Sequence, residues 1–332
     1  MQSYISPARF RVSVYNGKKQ KRRGKNQFQH PDFEYFQPMS ILQPVSAAES
    51  VKLFEEQGFF HLPGFILPPL LKKLQDYFDE LASGCDKYHQ MAVNRVNGKD
   101  YITNIDNPCA RENRVCLELL GLPAMLELAE SICGPDFFPI QDFAVVKMLG
   151  DTLPVLWHLD MLHQRRGKCF TIGIYLDDAD SGDGCLKLVP GSHLKNEDIC
   201  KLKEYPCIEA PVKAGDVLVH DMMVAHASDP MTKNEKRRVI YFEFLSAAHV
   251  AAENLYTSEL VNRRCWLVET AAAYYKQLHP ESEEYIFKRP AAIPEVQGLT
   301  VDQTIAVIYD SPVRAHPSTY CFDMHKPGEK FQ

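Results

Sequence analysis

The chain has 332 residues, of which 45% are hydrophobic and 24% charged, which is ordinary for a globular protein and excludes collagen-like and mostly disordered classes. A net charge of −6 lacks the basic surplus of dedicated nucleic-acid binders, and no apolar run approaches the ~20 residues of a membrane span. The 10 cysteines form no CxxC pair and no secretory signal precedes them, so we expect reduced thiols, a cytoplasmic protein and no structural zinc site.

The first half of the chain is predicted to be mainly helical. Residues 1–45 are expected to form an N-terminal arm, whose basic run at 18–25 we interpret as a solvated strand or hairpin edge. A nuclear signal or a surface for an acidic partner are the alternatives for that run. Apolar spacing and terminal signals predict helices over 46–58, 68–84 and 123–132, with a short strand over 59–62 after the first.

Short strands replace helices after Asp136. They are predicted over residues 143–148, 169–176, 186–189, 217–219 and 238–245. Several strands of this length, separated by turn signals, indicate a sandwich or barrel. From about residue 250 the pattern returns to helix and then to loops. The order of elements therefore predicts an α+β fold with an antiparallel β core.

One pattern among these strands can hold a metal ion. Residues i and i+2 of a strand face the same side, so His158 and Asp160 can bind one ion, and His226 from a distant strand would complete the set. Two histidines and one carboxylate form the facial triad of non-haem Fe(II) oxygenases, which leaves positions open for a co-substrate and dioxygen. Alone, a His-x-Asp pattern is more often an ordinary hydrogen-bonded pair. His220 could compete as a ligand, but we interpret it as a packed side chain.

Further motifs follow the His-x-Asp pattern in a fixed order. The segment Gly184–His193 reads GCLKLVPGSH, Gly215-Asp216 comes next, His226–Ser228 follows, and Arg237 stands eleven residues after His226. Together these motifs resemble the phytanoyl-CoA dioxygenase family of Fe(II)/2-oxoglutarate-dependent oxygenases. The stretch 54–65 is also similar to the opening helix and strand of that family, and the resemblance covers about residues 46–246.

The resemblance implies a set of ligands for iron and for the co-substrate. By residue type and position, His158, Asp160 and His226 would ligate Fe(II), and Arg237 would hold the far carboxylate of 2-oxoglutarate. A guanidinium suits that role because it can donate two parallel hydrogen bonds to a carboxylate. Arg238 is the rival, since adjacent residues of a strand face opposite ways; strand parity and the family spacing favour Arg237.

Weaker assignments concern the rest of the pocket. The resemblance places Ser228, Gln141 and Thr171 near 2-oxoglutarate. Lys147 of the strand before the triad, and His163 and Arg165 of the loop after it, are candidate substrate contacts. Surface charge is the alternative for these basic residues. If they face the pocket, they indicate an anionic group on the substrate.

The resemblance also implies a fold and a function. The core over 46–250 would be a double-stranded β-helix, a jelly-roll or cupin-like barrel, flanked by N-terminal and C-terminal helices; residues 251–332 would pack on the same domain. The expected function is hydroxylation of an unactivated C–H bond of a small, carboxylated metabolite, with Fe(II), 2-oxoglutarate and O2, giving succinate and CO2. Oxidative cyclisation or desaturation, a non-catalytic cupin-like binding protein, and a zinc or manganese hydrolase or isomerase are the alternatives. No nucleic acid and no membrane is expected as a partner.

Overall fold

The structure, a computed structural model, describes residues 47–83, 90–161, 167–254, 256–296, 298–310 and 318–322, together with two-residue strands at 12–13 and 42–43. The basic run at 18–25 lies outside the described residues. The strands are β1 (Val12–Ser13), β2 (Leu42–Gln43), β3 (Phe59–Leu62), β4 (Met91–Val96), β5 (Lys99–Asp106), β6 (Phe137–Met148), β7 (Val155–Leu159), β8 (Cys169–Tyr175), β9 (Leu186–Leu188), β10 (Ile208–Ala210), β11 (Val217–Asp221), β12 (His226–Ser228), β13 (Lys236–Ser246) and β14 (Thr319–Tyr320). The helices are α1 (Ala47–Gln57), α2 (Pro68–Ser83), α3 (Val115–Leu120), α4 (Pro123–Cys133), α5 (Ile199–Leu202), α6 (Ala247–Glu253), α7 (Ser258–Leu278) and α8 (Val301–Ile308).

These strands form two sheets that face each other. The larger has the strand order β2-β1-β3-β11-β8-β13-β6-β5-β4, and the smaller has the order β10-β9-β12-β7-β14. The named strands pair antiparallel throughout, and neighbours in each sheet are mostly far apart in sequence. This arrangement, with helices outside the larger sheet, confirms the predicted α+β jelly-roll.

Each face of the larger sheet contributes to a separate apolar core. Strand β13 is hydrogen-bonded on both sides, to β6 and β8, and its residues alternate between the two faces. Val239 and Tyr241 belong to the core between the two sheets, where Tyr175 also lies. Phe242 and Phe244 belong to the larger core, which the helices cover. The metal-ligand pattern predicted from the sequence therefore lies at the inner face, between the sheets.

The C-terminal helices are attached to the outer face of the sheet by buried polar contacts. Arg264 of α7 donates to the carboxylate of Asp142 in β6 at 3.0 Å, and both side chains are buried. The hydroxyl of Tyr309, which follows α8, donates to the same carboxylate at 2.7 Å. Because an unpaired buried charge is costly, these contacts specify where α7 and α8 pack.

Two features of the fold differ from the sequence expectation. The hairpin of β4 and β5 was not predicted, although Asn97-Gly98, both with positive φ, form its turn and such a dipeptide is a strong hairpin signal. Cys200 and Cys321 form a disulfide across a sequence separation of 121 residues, so the expectation of reduced thiols is wrong for this pair. No local spacing could indicate a pairing that the tertiary fold creates. The other cysteines in the described ranges are free thiols.

Across the part of the chain that the structure describes, no helix combines the length and the apolarity needed to cross a bilayer.

Candidate active site

Strand pairing brings the three proposed metal ligands together. In the smaller sheet β12 pairs with β7 so that His226 lies opposite His158, and their ring centroids are 4.0 Å apart. Asp160 comes two residues after His158, and its Oδ1 lies 3.4 Å from Nε2 of His158 and 3.5 Å from Nε2 of His226. All three side chains are buried, and one ligand atom from each lies within 4.8 Å of the others. This set can hold one ion.

The hydrogen bonds of the two imidazoles direct their free nitrogens towards that point. Nδ1 of His158 bonds to the carbonyl of Leu156, and Nδ1 of His226 bonds to the carbonyl of Val224, both at 2.8 Å. A ring that donates through Nδ1–H keeps the lone pair of Nε2 for a metal. Both rings therefore have the tautomer and the orientation that a metal ligand requires.

A second pair of side chains orients the carboxylate. Oδ2 of Asp160 accepts from the Thr171 hydroxyl at 3.1 Å and lies 3.2 Å from Nε2 of His220. Because Oδ2 is occupied, Oδ1 is the oxygen that faces the two histidines. Hydrogen bonds of this kind around metal ligands hold them in place and tune their affinity.

Electrostatics give this cluster the charge state of a metal site. Burial first, and then the neighbouring His158, lower the pKa of His226 to about 3. Burial alone would raise the pKa of Asp160, but the surrounding histidines, His226 first, keep it well below its usual range. At neutral pH the set is therefore a neutral His226 imidazole and an ionised carboxylate, with lone pairs available for a divalent cation.

The two neighbouring arginines of β13 have opposite surroundings. Arg237 faces the cavity between the sheets that the three ligands also line, and it is almost fully buried. Its Nη1 donates to the carbonyl of Gly184 at 2.6 Å, and its Nε has no hydrogen-bond partner among the described residues. Arg238 faces away and makes a two-pronged ion pair with Asp177 and a further ion pair with Asp79.

The other residues predicted to contact 2-oxoglutarate are Ser228, Thr171 and Gln141, and their surroundings differ. Ser228 lines the cavity, and its buried hydroxyl has no partner within the described part of the chain. Thr171 lines the cavity too, but its hydroxyl is bonded to Asp160 rather than free for a co-substrate. Gln141 lies opposite Glu243 in the pairing of β6 with β13. Gly173 leaves space for the ring of Tyr241, whose Cε1 would be 2.8 Å from a Cβ added at that position.

The predicted substrate contacts are only partly brought to the site. Nζ of Lys147 donates to the carbonyls of Leu153, Ser228 and Asp229 at 3.1, 3.3 and 2.9 Å, which engages all three of its N–H groups. Burial lowers the pKa of Lys147 to about 7, and the charge of Arg237 adds to that effect. Lys147 therefore stabilises the strands around Ser228. His163 and Arg165 lie outside the described residues.

Sequence reasoning missed three residues of this site. His220 was interpreted as a packed side chain, yet it bonds to the ligand carboxylate; its place opposite Thr171 in the pairing of β11 with β8 is a tertiary property. Glu243 is buried and also lies opposite Thr171. In the sequence it stands within an apolar run and belongs to none of the motifs. Tyr320 of β14 stacks on His158, with ring centroids 4.9 Å apart and planes 15° from parallel. No sequence signal relates two residues so far apart.

The residues present fit the groups that the resemblance implies. Two imidazole nitrogens and one carboxylate oxygen converge on one point, which is the donor set of a non-haem iron centre. A buried guanidinium and a buried hydroxyl, each with a polar atom that no described residue pairs, line the same cavity and suit a carboxylate. The fit therefore covers both the metal and a dicarboxylate co-substrate.

Comparisons with known proteins agree with this geometry. A model of the family described as phytanoyl-CoA dioxygenase matches residues 54–239, more than half of the chain. L-proline trans-4-hydroxylase of Streptomyces griseoviridis is 26% identical over 160 residues, or 46% of this chain and 57% of that enzyme. The chain thus spans little more than half the length of this relative.

Solved structures give the same result. EvdMO1 superposes with a TM-score of 0.56 and 26% identity, covering 60% of this chain and 50% of that one. AviO1 from Streptomyces viridochromogenes Tue57 superposes with a TM-score of 0.55 and 26% identity, covering 61% of this chain and 96% of that one. These matches confirm the resemblance that the sequence motifs indicate.

Proposed function

Because the chain belongs to the phytanoyl-CoA dioxygenase family, we propose that it hydroxylates an unactivated C–H bond of a small organic substrate with Fe(II), 2-oxoglutarate and O2. His158, Asp160 and His226 would hold the iron. Arg237 and Ser228 would hold the far carboxylate of 2-oxoglutarate. Succinate and CO2 would be the co-products.

One observation carries this proposal. Arg237 is buried in the cavity of the metal-ligand triad, and no carboxylate in the described ranges lies within ion-pair distance of it. Leaving a buried charge unpaired costs several kcal/mol, so a protein keeps one where an anion binds. The co-substrate would supply that anion, because Arg237 and the triad line the same cavity.

The chain's own residues position the reactants and exclude water. When bound, iron would activate O2 as the oxidant with 2-oxoglutarate as the co-reductant, a chemistry that no amino-acid side chain supplies. Thr171 and His220 hold Asp160 with one oxygen facing the metal point. Lys147 donates a hydrogen bond to the carbonyl of Ser228, so that the hydroxyl of Ser228 stays on the cavity side. Phe143, Val145 and Leu186 line the remaining wall with apolar surface, which keeps the cavity dry.

The substrate class that we propose is broader than the carboxylated metabolite expected from the sequence. An anionic substrate was expected from Lys147, His163 and Arg165. Lys147 is engaged by three carbonyls, and the other two lie outside the described residues. The proposal therefore specifies a small organic molecule and does not require a carboxylate on it.

An anaerobic binding experiment tests the proposal. Fe(II) and 2-oxoglutarate added together should produce the weak visible charge-transfer band of a chelated keto acid. His158→Ala should abolish the band, whereas His279→Ala, which changes a histidine bonded to Glu118 outside the cavity, should keep it. With O2 readmitted, succinate should form from 2-oxoglutarate.

The outcome can also contradict the proposal. A wild-type protein that binds zinc or manganese but gives neither the band nor succinate would support a hydrolase or isomerase instead. Absence of any metal binding would support a cupin-like binding protein. Once a substrate is found, mass spectrometry separates hydroxylation, which adds one oxygen, from cyclisation or desaturation, which removes two hydrogens.

A further inference from the structure

The C-terminal extension contributes a strand to the metal site. Strand β14 pairs with β7 along the edge of the smaller sheet, with Tyr320 opposite His158 and Thr319 opposite Leu159. The backbone N–H of Cys321 donates to the carbonyl of Trp157 at 2.9 Å, so the pairing continues one residue further. The disulfide from Cys321 to Cys200 attaches this strand to helix α5. The segment 318–322 is thus held beside the strand that carries the first metal ligand.

Two aromatic side chains of the C-terminal segment lie beside this ligand. Alternate residues of a strand share a face, so Tyr320 and Phe322 lie on the face of His158. Tyr320 stacks on the imidazole of His158, and its ring centroid is 6.0 Å from that of Phe322. We call Tyr320 and Phe322 the apolar rim.

The apolar rim is exposed although large apolar side chains are usually buried. Tyr320 is 39% exposed and Phe322 is 67% exposed. Contiguous exposed apolar surface beside a polar site commonly marks a binding surface. Part of the Tyr320 ring therefore remains accessible beside the His158 imidazole on which it stacks.

The size of the cavity indicates what binds there. The space between the sheets around the triad has a volume of about 50 Å³, lined by Arg237 and Ser228 at one side. This volume is too small to hold a dicarboxylate on Arg237 and a second organic molecule together. A substrate that reaches the triad would therefore extend towards the apolar rim, whose Tyr320 stacks on His158.

We propose that the apolar rim determines substrate specificity by binding a planar, apolar portion of the substrate, an aromatic or conjugated ring, against Tyr320 and Phe322. The inference rests on the proposed function, because it assigns the substrate class of the same metal site. Aromatic faces recognise such rings by offset or edge stacking, which adds to the burial of apolar area. Tyr320 and Phe322 lie beyond residues 54–239, the part that matches the family model, so the family match alone could not have indicated them.

A paramagnetic NMR experiment tests this with the full chain. Mn(II) replaces Fe(II) at the triad, 2-oxoglutarate is added, and the probe is 2-naphthol; the zinc-loaded protein is the diamagnetic reference. We expect Mn(II) to broaden the proton lines of 2-naphthol, because the ring is held next to His158. In a Tyr320→Ala, Phe322→Ala double variant the affinity for 2-naphthol should fall about tenfold, since each aromatic contact contributes about two- to tenfold. Tyr320→Phe should keep most of the affinity.

Control measurements show whether binding of the probe depends on the apolar rim. Ile286→Ala removes an equally exposed apolar side chain outside the rim and should change nothing. The proposal is overturned if the Mn(II)-loaded double variant broadens the proton lines of 2-naphthol as much as the wild type does. It is also overturned if the lines of L-proline are broadened and those of 2-naphthol are not. It is also overturned if the wild type sediments as a dimer that the double variant dissociates, because the rim would then be an interface between copies. If Mn(II) gives no bound EPR signal that His158→Ala removes, the proposed function fails, and this inference fails with it.

Discussion

The assignment of Arg237 can be tested by two effects of opposite sign. In the ligand-free protein, Arg237→Gln loses one hydrogen bond, to the Gly184 carbonyl, which is a loss of about 1 kcal/mol. It also removes a buried guanidinium with no carboxylate partner in the described ranges, whose desolvation costs several kcal/mol, about 3 or more. We therefore expect the free energy of unfolding without 2-oxoglutarate to stay unchanged or to rise.

The same substitution should weaken co-substrate binding strongly. Two charge-assisted hydrogen bonds to a carboxylate contribute about 1.5–3 kcal/mol each, so the dissociation constant of 2-oxoglutarate should rise at least about a hundredfold. The charge-transfer band, titrated anaerobically with 2-oxoglutarate, measures that constant, and urea unfolding without the co-substrate measures stability.

Arg238→Gln is the matched control. Arg238 is buried beside Arg237 but bonds to Asp177 and Asp79, so its loss removes the ion pair of the largely buried Asp177, whereas Asp79 keeps its contact with Lys236. We expect a loss of stability of about 3 kcal/mol, with unchanged affinity for 2-oxoglutarate. If Arg237→Gln destabilised the free protein as much as Arg238→Gln and left the affinity unchanged, Arg237 would be structural and the reasoning would be refuted.

Three further outcomes are expected. Thr171→Val and His220→Phe should each weaken metal binding about 10- to 100-fold, measured by competition with a chelator, because each removes one of the two hydrogen bonds that hold Oδ2 of Asp160; an unchanged affinity would contradict their role. Gly173→Ala should lower the free energy of unfolding by about 1–3 kcal/mol, because its Cβ would overlap the Tyr241 ring. In a Tyr241→Ala background the same change should lower it by less, and equal losses in both backgrounds would contradict the overlap. Lys147 has a folded pKa of about 7, lowered from 10.5, so the unfolded chain binds more protons in that window and the cost of burying Lys147 falls as pH rises. Between pH 7 and 9 that cost should fall by about 2 kcal/mol in the wild type, and urea unfolding of Lys147→Met should lack this contribution; identical pH dependence in both proteins would be evidence against the lowered pKa.

The sequence was sufficient where the signal was local or ordered along the chain. Alternation and turn signals indicated most strands of the barrel, and parity indicated that His158 and Asp160 share a face. It was insufficient where the fold brings distant residues together. His220 reaches Asp160 only because β11 pairs with β8, and the disulfide partners Cys200 and Cys321 are brought together by the packing of β14 beside β7.

The position of β14 explains why the metal site and the C-terminal extension belong together. Without β14, the ligand-bearing strand β7 would be the outer strand of the smaller sheet, with unpaired backbone groups on its free side. Free edges pair with other chains and fray, and fraying of β7 would move His158 away from His226. A strand that covers this edge therefore keeps the ligand distance fixed. Because it runs beside His158, the side chains that it carries on the same face also become part of the substrate surface.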